Sequence, residues 1–272
     1  MNLKNVRFTV LLPVLDREDI SNGLPSAVES IFNNSLKPDQ VIVTVDGPTS
    51  YKFKKLLEFY ENKYSLDLVW INKKVGLDKA LNIGLSKCKN EIVFRADGDD
   101  YNLKNRFEIQ LPFLLKGYDL VGSDIDEFDE SNCFISRKKV PYSNREIEKT
   151  IPFRNPINHM TVGYKKSIVE SVGGYPELFL KGDYGLWIKL KARGINFKNI
   201  NKSLVKAKTG RRMIKDRGGL RYIISEFLLQ KYLLKYGLTN IFLSFSVFIL
   251  RSIVFILPVG LRNIIYLKFL RD

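Results

Sequence analysis

Four short apolar runs, at residues 8–14, 41–48, 68–71 and 92–94, are separated by stretches with apolar residues at helical spacing, at 24–32, 53–60 and 79–85. The runs are rich in Val, Ile, Leu and Phe and close on Pro, Asp, Gly or Asn, the composition of strands ended by turns. This alternation restricts the chain to an α/β architecture around a mostly parallel central sheet flanked by helices, because parallel neighbours need a crossover and a helix supplies it. In open sheets of this kind the ligand crevice lies outside the carboxyl ends of the strands. Asp16, Asp46, Asp97, Asp99 and Asp100 all fall there.

The last of these runs, Ile92-Val-Phe94, leads directly into Arg95-Ala-Asp-Gly-Asp-Asp100, so one strand delivers three carboxylates to one turn. Carboxylates this close repel one another, and a divalent cation relieves the repulsion. An Asp-x-Asp at a strand end suits Mg²⁺ or Mn²⁺, which take oxygen ligands and keep positions open for phosphates. Asp97 and Asp99 are therefore candidate metal ligands; a solvated acidic turn is the plain alternative.

With 272 residues, 45% of them hydrophobic, the chain can bury one good-sized core, which points to a single main domain with a small appendage. Two cysteines, Cys88 and Cys133, are too few for a disulfide framework and read as reduced thiols of a cytoplasmic protein. The amino end, with Lys4 and Arg7 before an apolar run broken by Pro13, reads as a first strand and not as a signal peptide. Lys and Arg outnumber Asp and Glu by 44 to 29, a net charge of +15, so an anionic partner is expected. Nucleic acid is disfavoured, since no nucleic-acid-binding motif accompanies the charge. A diphosphate substrate and an anionic membrane surface account for it better, and a merely solvated surface is the bland reading.

After Gly219 the character changes, dividing the chain into a domain at 1–218 and a helical segment at 219–272. Residues 222–235 have apolar positions at helical spacing, and 241–257 are almost wholly apolar except for three serines and Arg251. That second stretch, about 17 residues long, is at the short limit for a bilayer span and carries a charge. An interfacial, membrane-docking helix flanked by Arg262, Lys268 and Arg271 fits better than a spanning one. The alternative is a helix packed on the main domain or on a second copy, as in a homodimer.

Taken in order, Leu11-Leu-Pro-Val14, Val45-Asp-Gly-Pro48, Gly76-Leu-Asp-Lys-Ala-Leu-Asn-Ile-Gly84, Arg95-Ala-Asp-Gly-Asp-Asp100, Arg106-Phe107 with Gln110, and Gly182-Asp-Tyr-Gly-Leu-Trp187 carry a further message. This order resembles that of family 2 glycosyltransferases of the GT-A fold, over about residues 8–219. Asn155-Pro-Ile-Asn-His159, Lys208-Thr-Gly210 and Arg217-Gly-Gly219 are similar to the bacterial amylovoran and O-antigen branch of that family. The resemblance implies an inverting, metal-dependent transfer of one sugar from a nucleotide-diphosphate sugar, most often a UDP-sugar. The implied acceptor is a hydroxyl of a lipid-diphosphate-linked glycan in O-antigen, capsule or exopolysaccharide assembly. The implied place is the cytoplasmic, inner face of the cell membrane.

Residue by residue, the resemblance assigns Pro13, Asp46, Lys79 and Asp97 to the nucleotide sugar, and Asp97 with Asp99 to the metal. It assigns Arg211, Arg212 and Arg217 to the leaving phosphate. Asn158, His159 and Trp187 fall on the acceptor side, and Asp183 matches the catalytic base. Two departures stand out: Val45 and Gly182 occupy places where the family usually has a second acid. Asp183 also opens a helix-like run, so a helix N-cap is its structural alternative. His159, the only histidine, has no second His or Cys at metal-binding spacing, which argues against a ligand role. Two rivals remain: a sugar-phosphate nucleotidyltransferase, though residues 12–19 are not the Gly-rich basic loop it would need, and a non-enzymatic basic membrane or nucleic-acid binder.

Overall fold

The structure, a computed structural model, describes residues 3–129, 131–209 and 218–269. Strand β1 (Phe8–Val14) lies at the centre of the amino-terminal half, between β2 (Gln40–Asp46) and β4 (Ile92–Arg95), with β3 (Asp67–Ile71) outside β2, and all four run parallel. Every residue of β1, β2 and β4 is buried, because helices cover both faces of the sheet. Side chains alternate across the pleat. Val10, Leu12 and Val14 enter one core with α1 (Glu18–Phe32) and α2 (Tyr51–Tyr64), whereas Leu11 enters the other with α3 (Leu77–Lys87).

Beyond β4 the sheet becomes mixed. A two-residue β5 (Tyr101–Asn102) precedes α4 (Arg106–Leu115), β6 (Leu120–Phe128), β7 (Phe134–Lys138), α5 (Asn144–Thr150), β8 (Gly163–Lys165), α6 (Lys166–Ser171), α7 (Gly182–Ala192) and β9 (Phe197–Lys208). The spatial order is β3-β2-β1-β4-β8-β6-β9-β5, with β7 hairpinned onto β6. Strand β8 is antiparallel to both β4 and β6, so the expected parallel sheet holds for β1–β4 and for the β6–β9 pair only.

Arg106, fully buried on α4, ties the halves together. Its guanidinium donates to the Arg95 carbonyl at 2.7 Å and to Gln110 at 3.0 Å. Gln110 in turn donates to the carbonyls of Val121 and Thr161. Arg106 thus satisfies the backbone carbonyl at the end of β4, where that strand releases its acidic turn, and Gln110 ties Arg106 to the backbone at Val121 and Thr161.

Helix α8 (Leu220–Lys235) buries Leu229 and Leu233 in the same core as α7. Helix α9 (Ile241–Ile256) packs along α8, with Phe227 against Phe248 and Tyr222 against Phe255, and α10 (Val259–Phe269) follows. Among the described residues no helix is long and apolar enough to cross a membrane. Helix α9 turns Ser244, Val247 and Phe255 inward and Arg251 toward Glu226, while Phe242, Phe245, Ile253 and Ile256 are exposed, Phe242 at 82%. Arg262, expected to flank a lipid-facing helix, is buried, its guanidinium against Gly218.

Candidate active site

The acidic turn is tightly built. Oxygens of Asp97, Asp99 and Asp100 all lie within 4.8 Å of one another. Helix α1 reaches the turn closely because Gly23 has no side chain: a Cβ there would lie 2.7 Å from the Asp99 Cα. Asp97 is clasped by both terminal nitrogens of buried Arg95, Nη1 at 2.5 Å. Among the described residues Asp99 and Asp100 have no such cation. Burial, with Asp97 alongside, pushes the Asp99 carboxyl up to about 6, and burial with Asp97 and Asp99 raises that of Asp100 well above the usual range. Asp100 accepts from the Lys208 N–H through Oδ1, while its buried Oδ2 has no partner among the described residues. A buried orphan carboxylate oxygen beside two like charges fits a hard divalent cation.

A cavity of about 670 Å³ runs from this turn to α7. It is lined by Arg95 and Asp97, by Lys181 and Asp183, and by Asp78 and Lys79 in the first turn of α3. Lys79 pairs with Glu177 at 3.0 Å across the mouth. Asp183 is the second residue of α7, and Lys181, not Asp183, is its N-cap residue. The cap alternative for Asp183 therefore gives way. Its carboxylate accepts from Asn155 Nδ2 at 2.7 Å and faces the cavity. Leu180, with φ +60°, turns the chain sharply just ahead of it.

Asp78 is a residue the sequence reading missed. Burial first, then Asp183 and Glu177, push its carboxyl up to about 7. Its position, two residues after Gly76 in a quoted motif, was the available signal.

Of the other expected residues, His159 lines this cavity, whereas Pro13, Asp46, Asn158 and Trp187 are not among its lining. Asp46 is only 7% exposed, and its two oxygens accept from the N–H groups of Val75 and Gly76, so it fixes the loop that launches α3. Pro13 is buried inside β1 opposite Thr44. His159 lines the cavity, held by Tyr175 Oη at 3.1 Å; burial and Arg95 keep it neutral, its pKa well below the usual value. Asn158 is buried and donates to the Ser123 carbonyl. Trp187 is fully buried between His159 and Phe197, which corrects its placement on the acceptor side: α7 turns that face into the core. Arg211, Arg212 and Arg217 lie outside the described residues.

The parallel strand β4 thus ends on an acidic turn, and a carboxylate of α7 lines the same cavity. The fold matches Staphylococcus aureus TarS in complex with UDP-GlcNAc, with TM-score 0.66 at 17% identity, over 97% of this chain and 76% of that one. It also matches the mannosyltransferase PcManGT of Pyrobaculum calidifontis in complex with GDP-Man and Mn²⁺, with TM-score 0.59 at 14% identity, over 90% and 69%. Residues 9–172 match the family described as Glycosyl transferase family 2. The chain is 35% identical to the Escherichia coli UDP-Gal:alpha-D-GlcNAc-diphosphoundecaprenol beta-1,3-galactosyltransferase, over 97% of each. It is 32% identical to the amylovoran biosynthesis glycosyltransferase AmsE of Erwinia amylovora, over 96% of this chain and 98% of that protein. The chain belongs to glycosyltransferase family 2, and the nucleotidyltransferase and non-enzymatic alternatives fall away.

Proposed function

We propose that this glycosyltransferase moves one sugar, with inversion, from a UDP-sugar to a hydroxyl of a lipid-diphosphate-linked glycan during bacterial surface-polysaccharide assembly. The observation that carries this reading is one cavity lined by both Asp97 of the acidic turn and Asp183 of α7. Lys79 and the acidic turn suit the donor's diphosphate side. Asp97, Asp99 and Asp100 would hold Mg²⁺ or Mn²⁺, whose charge stabilises the leaving nucleoside diphosphate. Asp183 takes the proton from the acceptor hydroxyl as it attacks, and Asn155 orients the carboxylate. Attack from the side opposite the leaving group inverts the anomeric carbon. The names of the relatives support the donor and acceptor classes.

The outward apolar face of α9, in a chain with net charge +15, supports docking of the 219–272 segment on the anionic inner membrane face. The deciding experiment incubates the full chain with UDP-sugars, Mn²⁺ and a diphosphate-linked acceptor, and reads the anomeric configuration of the product by NMR. A retained configuration removes the single-displacement scheme.

A further inference from the structure

A second cavity, about 260 Å³, lies on the other side of Asp183. The two cavities share His159, Met160, Leu180, Lys181 and Asp183, so the carboxylate stands at their junction. The charge of the second cavity is one-sided. Lys138 and Lys139 at the end of β7, Arg154 after α5, Lys181 before α7 and Arg251 of α9 line it, against one carboxylate, Asp183.

Gathering five cations around a small concavity is unfavourable unless something anionic balances them. Part of the balance is internal. Glu226 of α8, fully buried, lies 3.1 Å from Arg251 and 3.8 Å from Lys181, and so holds both cations at the wall. Arg154 and Lys139 have no ion-pair partner among the described residues. A guanidinium with its donors free, half-buried beside the proposed base, is suited to bidentate capture of phosphate oxygens.

We infer that this second cavity binds the diphosphate of the acceptor, with Arg154 and Arg251 as the residues that read it. The inference rests on the acceptor class proposed above. An acceptor whose hydroxyl meets Asp183 from this side leaves its reducing-end diphosphate among the five cations, away from the donor's own phosphates. Arg251 belongs to the helix whose opposite face is apolar and exposed, so the lipid chain leaves the cavity along the surface that meets the membrane. The tail is then a wall of the acceptor site as well as an anchor.

The test uses the full chain and two acceptors with the same sugar, one joined to dodecyl diphosphate and one a neutral dodecyl glycoside. In Arg154→Ala the ratio of kcat/KM values, diphosphate over neutral, is expected to fall at least about tenfold, consistent with loss of one charge-assisted contact. Arg154→Lys should recover part of it. An unchanged ratio, or an equal loss on both acceptors, overturns the assignment. Because Arg251→Gln strands the buried Glu226, the same ratio is read in the exposed Lys139→Ala as the second variant.

Calorimetry with dodecyl diphosphate alone separates this from the substrate reading. If neither acceptor is used yet Arg154→Ala still weakens dodecyl diphosphate binding, the cavity assignment stands and the acceptor reading falls. If Arg154→Ala instead reduces only partition onto phosphatidylglycerol vesicles, the cavity serves a lipid headgroup and the assignment is wrong.

Discussion

The carboxylate of Asp78 occupies the space that a side chain on Gly182 would need: a Cβ built there would lie 1.8 Å from Asp78 Oδ1. The acid missing at position 182 is thus matched by one arriving from α3, and Asp78 lines the cavity together with Asp183. Since Gly182 has an ordinary helical backbone, the constraint there is space. Gly182→Ala is expected to displace Asp78 and cut transfer, with a modest melting change, because the obstructing atoms end a short side chain that can swing away.

Asp78 also gives a stability signature. Its carboxyl is raised to about 7 from 3.8, so the folded chain holds a proton there that the unfolded chain releases. That contribution is fully present below about pH 4 and is lost as pH rises through about 7. Asp78→Asn has no proton to lose, so its stability relative to the parent should climb between pH 4 and pH 7, by about 1–2 kcal/mol after solvent screening. Denaturant melts across that range check it; a flat difference would place the ionised Asp78 in water.

The metal site predicts an opposition between stability and function. Asp100 is buried, repelled by Asp97 and Asp99, and has one unpartnered oxygen. Asp100→Asn should therefore melt higher than the parent in chelator, yet lose the Mn²⁺-induced rise in Tm that the parent shows. That rise should fade in the parent as pH drops through about 6, where Asp99 takes a proton and competes with the cation. Persistence of the Mn²⁺ effect in the variant would falsify the ligand assignment.

The parts of this design that were legible in the sequence are those written as local patterns. The apolar run 8–14 marks β1, and Ile92-Val-Phe94 running into Asp97 marks a strand end with its turn. The β6–β7 hairpin was not legible, because β7 (Phe-Ile-Ser-Arg-Lys) is largely exposed and lacks the alternating apolar pattern. Asp46 looked like a ligand contact because only the fold brings the Val75 and Gly76 amides to it. Glu226 and Arg251 are 25 residues apart and read as ordinary helix charges until α9 folds back on α8.

The exposed apolar face of α9 makes membrane docking separable from folding. Replacing Phe242, Phe245 and Ile253 by Gln removes side chains that are exposed, so the melting temperature should stay within a few degrees. Partition onto anionic vesicles should fall by more than about tenfold, since three large apolar side chains each contribute roughly 1–2 kcal/mol on entering lipid. Sedimentation with vesicles measures this. Truncation at residue 218 is a poorer probe, because Leu229 and Leu233 belong to the main core.

Asp183 carries the most discriminating prediction, because its environment already shows what an amide would keep. Its Oδ2 accepts from Asn155 at 2.7 Å, and Lys181 stands at the cap position. In Asp183→Asn the amide oxygen can still accept from Asn155, so the fold and the melting temperature should change little. Donor affinity should also persist, as the carboxylate acts on the acceptor hydroxyl. What is lost is proton uptake: an amide oxygen does not bind a proton near neutral pH, so turnover should drop by roughly 10² to 10⁴-fold. Single-turnover transfer with saturating donor distinguishes this from weakened binding. Should the variant turn over near the parent rate, Asp78 is the next base to test, since it lines the same cavity, whereas Asp124 is already committed to the Val140 amide and Tyr142.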